Sequence, residues 1–269
     1  MTRGRGATID LVIPVPWSDD RWVLEEENVP ETPLHELVIG LLVAVLRRWI
    51  ARTGRDAMAG SNIALRWNRA KPNVGVDPDV YLVEPAPPLR ERETSLCLWK
   101  KGHHAPRVAV EVVSQNTADK DYGDAPARYA ASGTRELWVF DPLKLGPAES
   151  VRVLQVWRRV GKGRFEQVYA GDGPAFSREL GAWVVVTDDG MRLRVANDAA
   201  GRQCWPTAEE EALAARADAE RAKADAEQAR EIERRAREAA EAELARLRAA
   251  ELARLRAAAS KKPRARGTK

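Results

Sequence analysis

Two short apolar runs in this chain each carry a carboxylate: Asp77-Pro78-Asp79-Val80-Tyr81-Leu82-Val83, and later Pro106-Arg107-Val108-Ala109-Val110-Glu111-Val112-Val113-Ser114. An acid inside a β-type run is costly to bury unless its charge is compensated. Acids on two successive strands therefore suggest a shared cation held by hard oxygen ligands, and metal-dependent hydrolysis is the chemistry such a pair performs. Two structural readings compete. Asp79 could cap a turn in its turn-prone Asp-Pro-Asp, and Glu111 could take an outward strand position. Context favours the pair, because Glu111 is the only charged residue from Val108 to Val113 and the polar Ser114-Gln115-Asn116-Thr117 follows at once. A strand, a carboxylate, a polar turn and then a helix is a common way to place a site at a strand's end.

Taken in order, Pro78-Asp79 before Val-Tyr-Leu-Val, the run from Val108 to Thr117, Asp121, Tyr129, Gly133, and Glu136-Leu-Trp-Val-Phe-Asp-Pro142 form a longer pattern. It resembles the Uma-two family of bacterial restriction-endonuclease-like proteins, within the PD-(D/E)XK nuclease superfamily. The resemblance spans roughly residues 30 to 195, and the ordered series is more specific than any single motif. It implies an α/β fold with a restriction-endonuclease-like core, a mixed sheet flanked by helices. It also implies that Asp79 and Glu111 are metal ligands, joined by a backbone carbonyl of Val112 or Val113. The implied reaction is phosphodiester hydrolysis, the implied substrate is DNA, and the implied cofactor is Mg²⁺ or Mn²⁺, which suits oxygen ligands better than zinc does.

The chain departs from that pattern at one residue type. The superfamily places a lysine two residues after the glutamate, where this chain has Val113. The family supplies one from the next helix, four residues before the tyrosine, where this chain has Ala125. Arg128 and Lys120 are the substitutes. A helix from about 119 to 132 would put Arg128 on one face with Ala125 and Asp121. Arginine stays protonated, so it could stabilise developing phosphorane charge but not act as a general base. Pro126 fits the first turn of a helix, which predicts a start near Asp124 or Ala125 and leaves Lys120 outside it. The absent lysine keeps a second function class open: a catalytically weakened nuclease-fold protein that binds nucleic acid or a partner through its helical tail.

Other chemistry-bearing residues read as structural. Asp77, across the proline turn from Asp79, is expected to point away from the pair. His35 and Glu36 fall in an amphipathic helix and are expected on its polar face, although a glutamate from this helix can reach the metal in related nucleases and His35 resembles a histidine common in the family. His103-His104 are adjacent and predict a loop, not a metal site. Cys97 and Cys204 form no paired motif and nothing in the sequence near them depresses a thiol pKa. Two unpaired thiols, with no signal peptide or transmembrane run, argue for the reducing cytoplasm.

The elements that must position these residues follow from periodicity. Pro33 to Thr53 carries Leu34, Leu37, Val38, Leu41, Leu42, Val45, Leu46 and Trp49 at helical spacing and ends at Gly54. Strands are expected over 61–68, 80–83, 107–113, 135–140, 151–158 and 164–169, with 182–186 paired to 191–195 through Asp188-Asp189-Gly190. All nine tryptophans lie at or before Trp205, so the core is expected to end there. Residues 1–29 read as an N-terminal extension, 30–205 as the nuclease-like domain, 206–259 as a long charged helix and 260–269 as a basic disordered tail.

The long helix opens on a capping box at Thr207 and Glu210 and contains no glycine or proline from Ala208 to Ala259. Its repeat Glu-Leu-Ala-Arg-Leu-Arg-Ala-Ala occurs at 243–250 and again at 251–258. Leu244, Leu247, Leu252 and Leu255 thus share one arc, suited to a short coiled coil and a homo-oligomer. A solvated single helix laced with Glu/Arg pairs is the competing reading. The net charge of +4 includes five cations and no acid in the last ten residues, and without them it becomes −1. The basic balance therefore describes the tail, where it could hold nucleic acid non-specifically, and not a catalytic groove.

Overall fold

The computed structural model describes residues 32–115, 118–148, 151–160 and 164–260, with no account of the side chains of 164 and 258–260. The expected N-terminal extension, Asn116 and Thr117, and residues 261–269 of the basic tail lie outside the described residues. The chain divides into two units, Met1–Trp205 and Pro206–Lys269.

The first unit begins with α1 (Pro33–Thr53), whose Thr32 side chain accepts from the His35 N–H and whose left-handed C-cap is Gly54 at φ 64°. These ends follow from the sequence, because an N-cap oxygen and a residue free to take positive φ are what a helix needs to start and stop. Then come β1 (Met58–Gly60), β2 (Ala64–Arg66), β3 (Gly75–Val76), β4 (Val80–Val83), β5 (Ser95–Cys97) and β6 (Val108–Val112). The helix α2 (Ala125–Ser132) leads to β7 (Glu136–Phe140), β8 (Leu154–Val160), β9 (Arg164–Gly171), β10 (Ala175–Ser177), β11 (Ala182–Thr187) and β12 (Arg192–Ala196).

Six strands form the main sheet in the order β1-β4-β6-β7-β8-β9. Within it β6 is parallel to β7 and antiparallel to β4, so the sheet is mixed and the class is α/β. Two small sheets, β10-β11-β12 and β3-β2-β5, complete the unit. The strand expected over 61–68 is only Ala64–Arg66, and β1, β3, β5 and β10 had no separate signal. Each of those four is two or three residues long, too short for an alternating pattern to be read.

The main sheet is buried on both faces. Val108, Val110 and Val112 join Val80, Leu82, Trp138 and Phe140 beneath Val38, Leu42 and Leu46 of α1. On the opposite face Ala109, Val113, Leu137 and Val139 pack against Ala125 and Tyr129 of α2. Glu111 alternates onto this second, apolar face. Trp205 closes the unit: its ring stacks on Trp49 with centroids 5.5 Å apart and its backbone N–H donates to the Val195 carbonyl at 2.7 Å.

The second unit is α3 (Ala208–Ser260), 53 residues long. Its capping box is formed, with the Glu210 N–H donating to Thr207 Oγ1 at 3.1 Å and the Thr207 N–H to Glu210 Oε2 at 2.7 Å. Among the described residues no helix is long and apolar enough to cross a membrane.

A chain ending at Trp205 is expected to unfold in one cooperative calorimetric transition. In the same chain Trp205→Ala should cost about 2 kcal/mol through the lost stack and burial, lowering Tm by roughly 4–8 °C. A truncated chain without a cooperative transition would overturn this boundary.

Candidate active site

The site begins where the β4–β6 ladder stops. The last pair is Val80 with Val110, so one step further Asp79 stands across from Glu111, and directly opposed residues share a face. Pro78 offers a carbonyl there, but it accepts from the Asn62 N–H at 3.0 Å. Asp79 Oδ2 accepts the Val112 N–H instead, at 2.6 Å. A carboxylate thus replaces a strand carbonyl as the acceptor and is fixed at the C-terminal end of β6. His35, from α1 on the other side of the sheet, places Nε2 2.9 Å from the Val112 carbonyl and 3.3 Å from Asp79 Oδ2. A carbonyl can only accept, so Nε2 carries the proton.

Glu111 is 2% exposed, and its Oε1 accepts from the Tyr129 hydroxyl at 2.6 Å. Burial, then the Asp79 charge, push its carboxyl well above the usual range; Lys120 pulls it down, Asp121 raises it, and the Tyr129 bond lowers it. The raising effects win. Burial and the facing Glu111 likewise hold the Tyr129 phenol well above its ordinary value. Asp121 is 1% exposed beside them.

Lys120 supplies the local positive charge. Its Nζ lies 3.9 Å from Glu111 Oε2 and 3.5 Å from Asp121 Oδ1. Burial works against its charged form, but Glu111, Asp121 and Asp79 outweigh burial and raise its pKa. The regular α-helix begins at Ala125, where Pro126 predicts it, but the helical path already runs through 118 and 119 and takes one π-turn over Lys120–Asp124 before α2. That turn is closed by the Ala125 N–H donating to the Lys120 carbonyl, five residues back. Pro126 is accommodated at the start of the regular α-helix, as its missing N–H demands, while the wider turn extends the helical path towards the site. Tyr122 anchors the turn, donating its hydroxyl to Asp141 Oδ2 at 2.9 Å.

A cavity of about 110 Å³ opens beside these groups, lined by Gly75, Val76, Asp77, Glu111, Lys120, Ala125 and Arg128. Asp77, expected to point away, is part of that lining. Arg128 stands at the rim with its side chain 48% exposed and its guanidinium 3.1 Å from Asp124. Ala125, where the resemblance leads one to expect a lysine, lines the same cavity. Glu36 is exposed on α1. His35, expected on a polar surface, is 3% exposed, because the first turn of α1 abuts the end of β6. His103 accepts the Cys97 N–H at 3.1 Å and lies 3.5 Å from Glu93, and it is not part of the cavity lining. Cys97 and Cys204 form no disulfide. Within the motif from Glu136 to Pro142 the acids hold structure: Glu136 accepts from Trp138 and Arg158, and Asp141 from the Leu145 and Gly146 N–H groups.

The residues fit a hard divalent cation. Lys120 alone leaves the Glu111 charge under-compensated, and the facing carboxylates of Asp79 and Glu111 lie beside a carbonyl, that of Val112, with a second lone pair beyond the one His35 uses. Among the described residues no three His, Cys, Asp or Glu side chains converge as a full cage. Two carboxylates, a carbonyl and waters are nonetheless an ordinary Mg²⁺ environment.

A model of the Uma2 family, described as "Putative restriction endonuclease", matches residues 23–184. No curated protein matches the chain. A solved structure described as a putative nuclease belonging to DUF820, from Anabaena variabilis ATCC 29413, is similar over 56% of this chain and 75% of its own, at 14% identity and a TM-score of 0.38.

The raised Glu111 pKa sets a pH dependence for the metal-free protein. The folded state holds this proton more tightly than the unfolded chain, whose value is near 4.5, so the associated stability is full below that pH and is lost as pH rises through the folded pKa. Glu111→Gln keeps an acceptor for Tyr129 and removes the charge. It is expected to raise Tm at neutral pH by roughly 2–4 °C, about 1 kcal/mol, and to flatten the decline of Tm between acidic and neutral pH. A variant less stable than wild type at neutral pH, measured by calorimetry, would contradict the assigned burial cost.

Proposed function

This chain belongs to the Uma2 family of restriction-endonuclease-like proteins, and on that premise we propose that it is an endonuclease hydrolysing phosphodiester bonds of DNA, with Mg²⁺ or Mn²⁺ as cofactor. The observation that carries the reading is the buried, under-compensated Glu111 opposite Asp79, with the Lys120 ammonium beside it at the mouth of a cavity.

Asp79, Glu111 and the Val112 carbonyl would hold the cation, which when bound polarises the scissile phosphate and lowers the pKa of an attacking water. Asp79 is held for this by the Val112 N–H and by His35, so the carboxylate does not reorganise when a ligand arrives. Tyr129 fixes one oxygen of Glu111 and leaves Oε2 directed towards Lys120. Lys120 remains protonated at neutral pH because three carboxylates raise its pKa. It therefore serves as a hydrogen-bond donor to water or a phosphoryl oxygen, offsetting charge that develops in the transition state, and not as a general base. Lys120 takes the role of the absent family lysine from a different helical position. Arg128, at the rim and tied to Asp124, suits a flanking phosphate.

Supercoiled plasmid is expected to be cut with Mg²⁺ and left intact with EDTA. Lys120→Ala should lower cleavage on the order of a hundredfold, while the rise in Tm on adding Mn²⁺ persists. Arg128→Ala should cost less than about tenfold, in keeping with an exposed contact. Ala125→Lys in the Lys120→Ala background should recover activity, because position 125 lines the same cavity. A loss confined to Arg128→Ala would move the cationic role there. If wild type and Ala125→Lys are both inert with either metal on double-stranded DNA, single-stranded DNA and RNA, the binding reading replaces the enzyme.

A further inference from the structure

The C-terminal part of α3 differs from the stretches 218–221 and 231–241 in how its charges are met. Upstream, Asp218–Arg221, Glu231–Arg234, Arg234–Glu238, Glu231–Arg235 and Arg237–Glu241 are intrahelical ion pairs. From 243 to 257, among the described residues, none of the acidic or basic side chains has an ion pair or hydrogen bond of this kind. In the same stretch Leu244, Leu247, Leu252 and Leu255 are 48%, 63%, 54% and 63% exposed.

At about 100° per residue the four leucines span an arc of about 140°, and Arg248 and Glu251 fall inside it. The stripe is therefore apolar at its ends and edges and charged at its centre. Three pairs share one midpoint, between Ala249 and Ala250: Leu244 with Leu255, Leu247 with Leu252, and Arg248 with Glu251. The leucine pairs share it because the eight-residue segment is repeated in tandem, and a second copy turned end for end sets all three pairs level.

We infer that residues from about 239 to 260 pair with the same segment of a second copy of this chain, antiparallel, about a two-fold axis level with Ala249 and Ala250. In that arrangement Leu244 stands level with the partner's Leu255, Leu247 with the partner's Leu252, and Arg248 with the partner's Glu251. A two-fold interface is self-complementary, so each contact occurs twice. Parallel pairing would set Arg248 against the partner's Arg248 and Glu251 against the partner's Glu251, two like-charge contacts at the centre of the seam. Central charges weaken a short seam compared with leucine, but they select its direction.

Sedimentation of the full chain should give a concentration-dependent dimer at concentrations on the order of 100 µM. Arg248→Glu and Glu251→Arg, each alone, should weaken association at least about tenfold, because each leaves like charges level across the axis. The double variant Arg248→Glu/Glu251→Arg should restore it. Exposed helix positions tolerate such changes, and circular dichroism checks that helix content is kept. Direction is read independently by a spin label at Ala239→Cys, with Cys97→Ala and Cys204→Ala. Two labels should lie more than about 30 Å apart if antiparallel, against roughly 20 Å if parallel. A monomeric wild type, a double variant no better than the singles, or the shorter label distance would each overturn the inference.

Discussion

Glu111 has to be held among apolar neighbours with its charge only partly met, and the surrounding architecture follows from that requirement. Its strand lies in the middle of a sheet covered on both faces, so water cannot solvate the carboxylate as it would at an edge. Among the described residues the compensation comes from one hydroxyl, that of Tyr129, and one ammonium, that of Lys120. Asp79 and Asp121 act in the opposite sense. A buried acid whose charge is only partly met costs stability, which is why the proposed function centres on this residue.

Position follows from backbone hydrogen bonding as much as from side chains. The Pro78 carbonyl is used by Asn62, so the Val112 N–H at the end of β6 needs another acceptor, and Asp79 provides it. The same residue's carbonyl is met from the opposite layer by His35. Two packed layers, α1 and the sheet, thus fix both the carboxylate and the carbonyl through one residue, Val112. The π-turn works in a comparable way: Tyr122 and Asp141 hold a wide turn in place, and Lys120 is carried on its first residue.

The long helix obeys a different economy. Before Leu244 its large exposed apolar side chains are Leu213 and Ile232, and intrahelical acid–arginine pairs support it at 218–221 and 231–241. Where those pairs stop, the leucines and the centred Arg248 and Glu251 begin. The exposed leucines around a charged centre, not a change in helix propensity, mark the segment suited to a second helix.

Much of the fold was legible in the sequence because its signals are local. The 3.6-residue stripe and Gly54 define α1, the apolar runs define β4, β6 and β7, and Thr207 with Glu210 starts α3. Asp79 and Glu111 were also visible, since a lone acid in an apolar run stands out whatever surrounds it. Tertiary structure alone decided what faces them. His35 looked like a surface residue because an amphipathic helix shows its polar face equally whether that face meets solvent or the end of a strand. Lys120 looked excluded because Pro126 marks where a regular α-helix can begin, whereas a π-turn is set by anchoring contacts such as Tyr122 to Asp141, 19 residues apart. The burial of Asp121 and the lining of the cavity by Asp77 likewise depend on which layers meet. Sequence determined which groups could carry charge and which segments were strands or helices; packing across layers determined which charges were brought together.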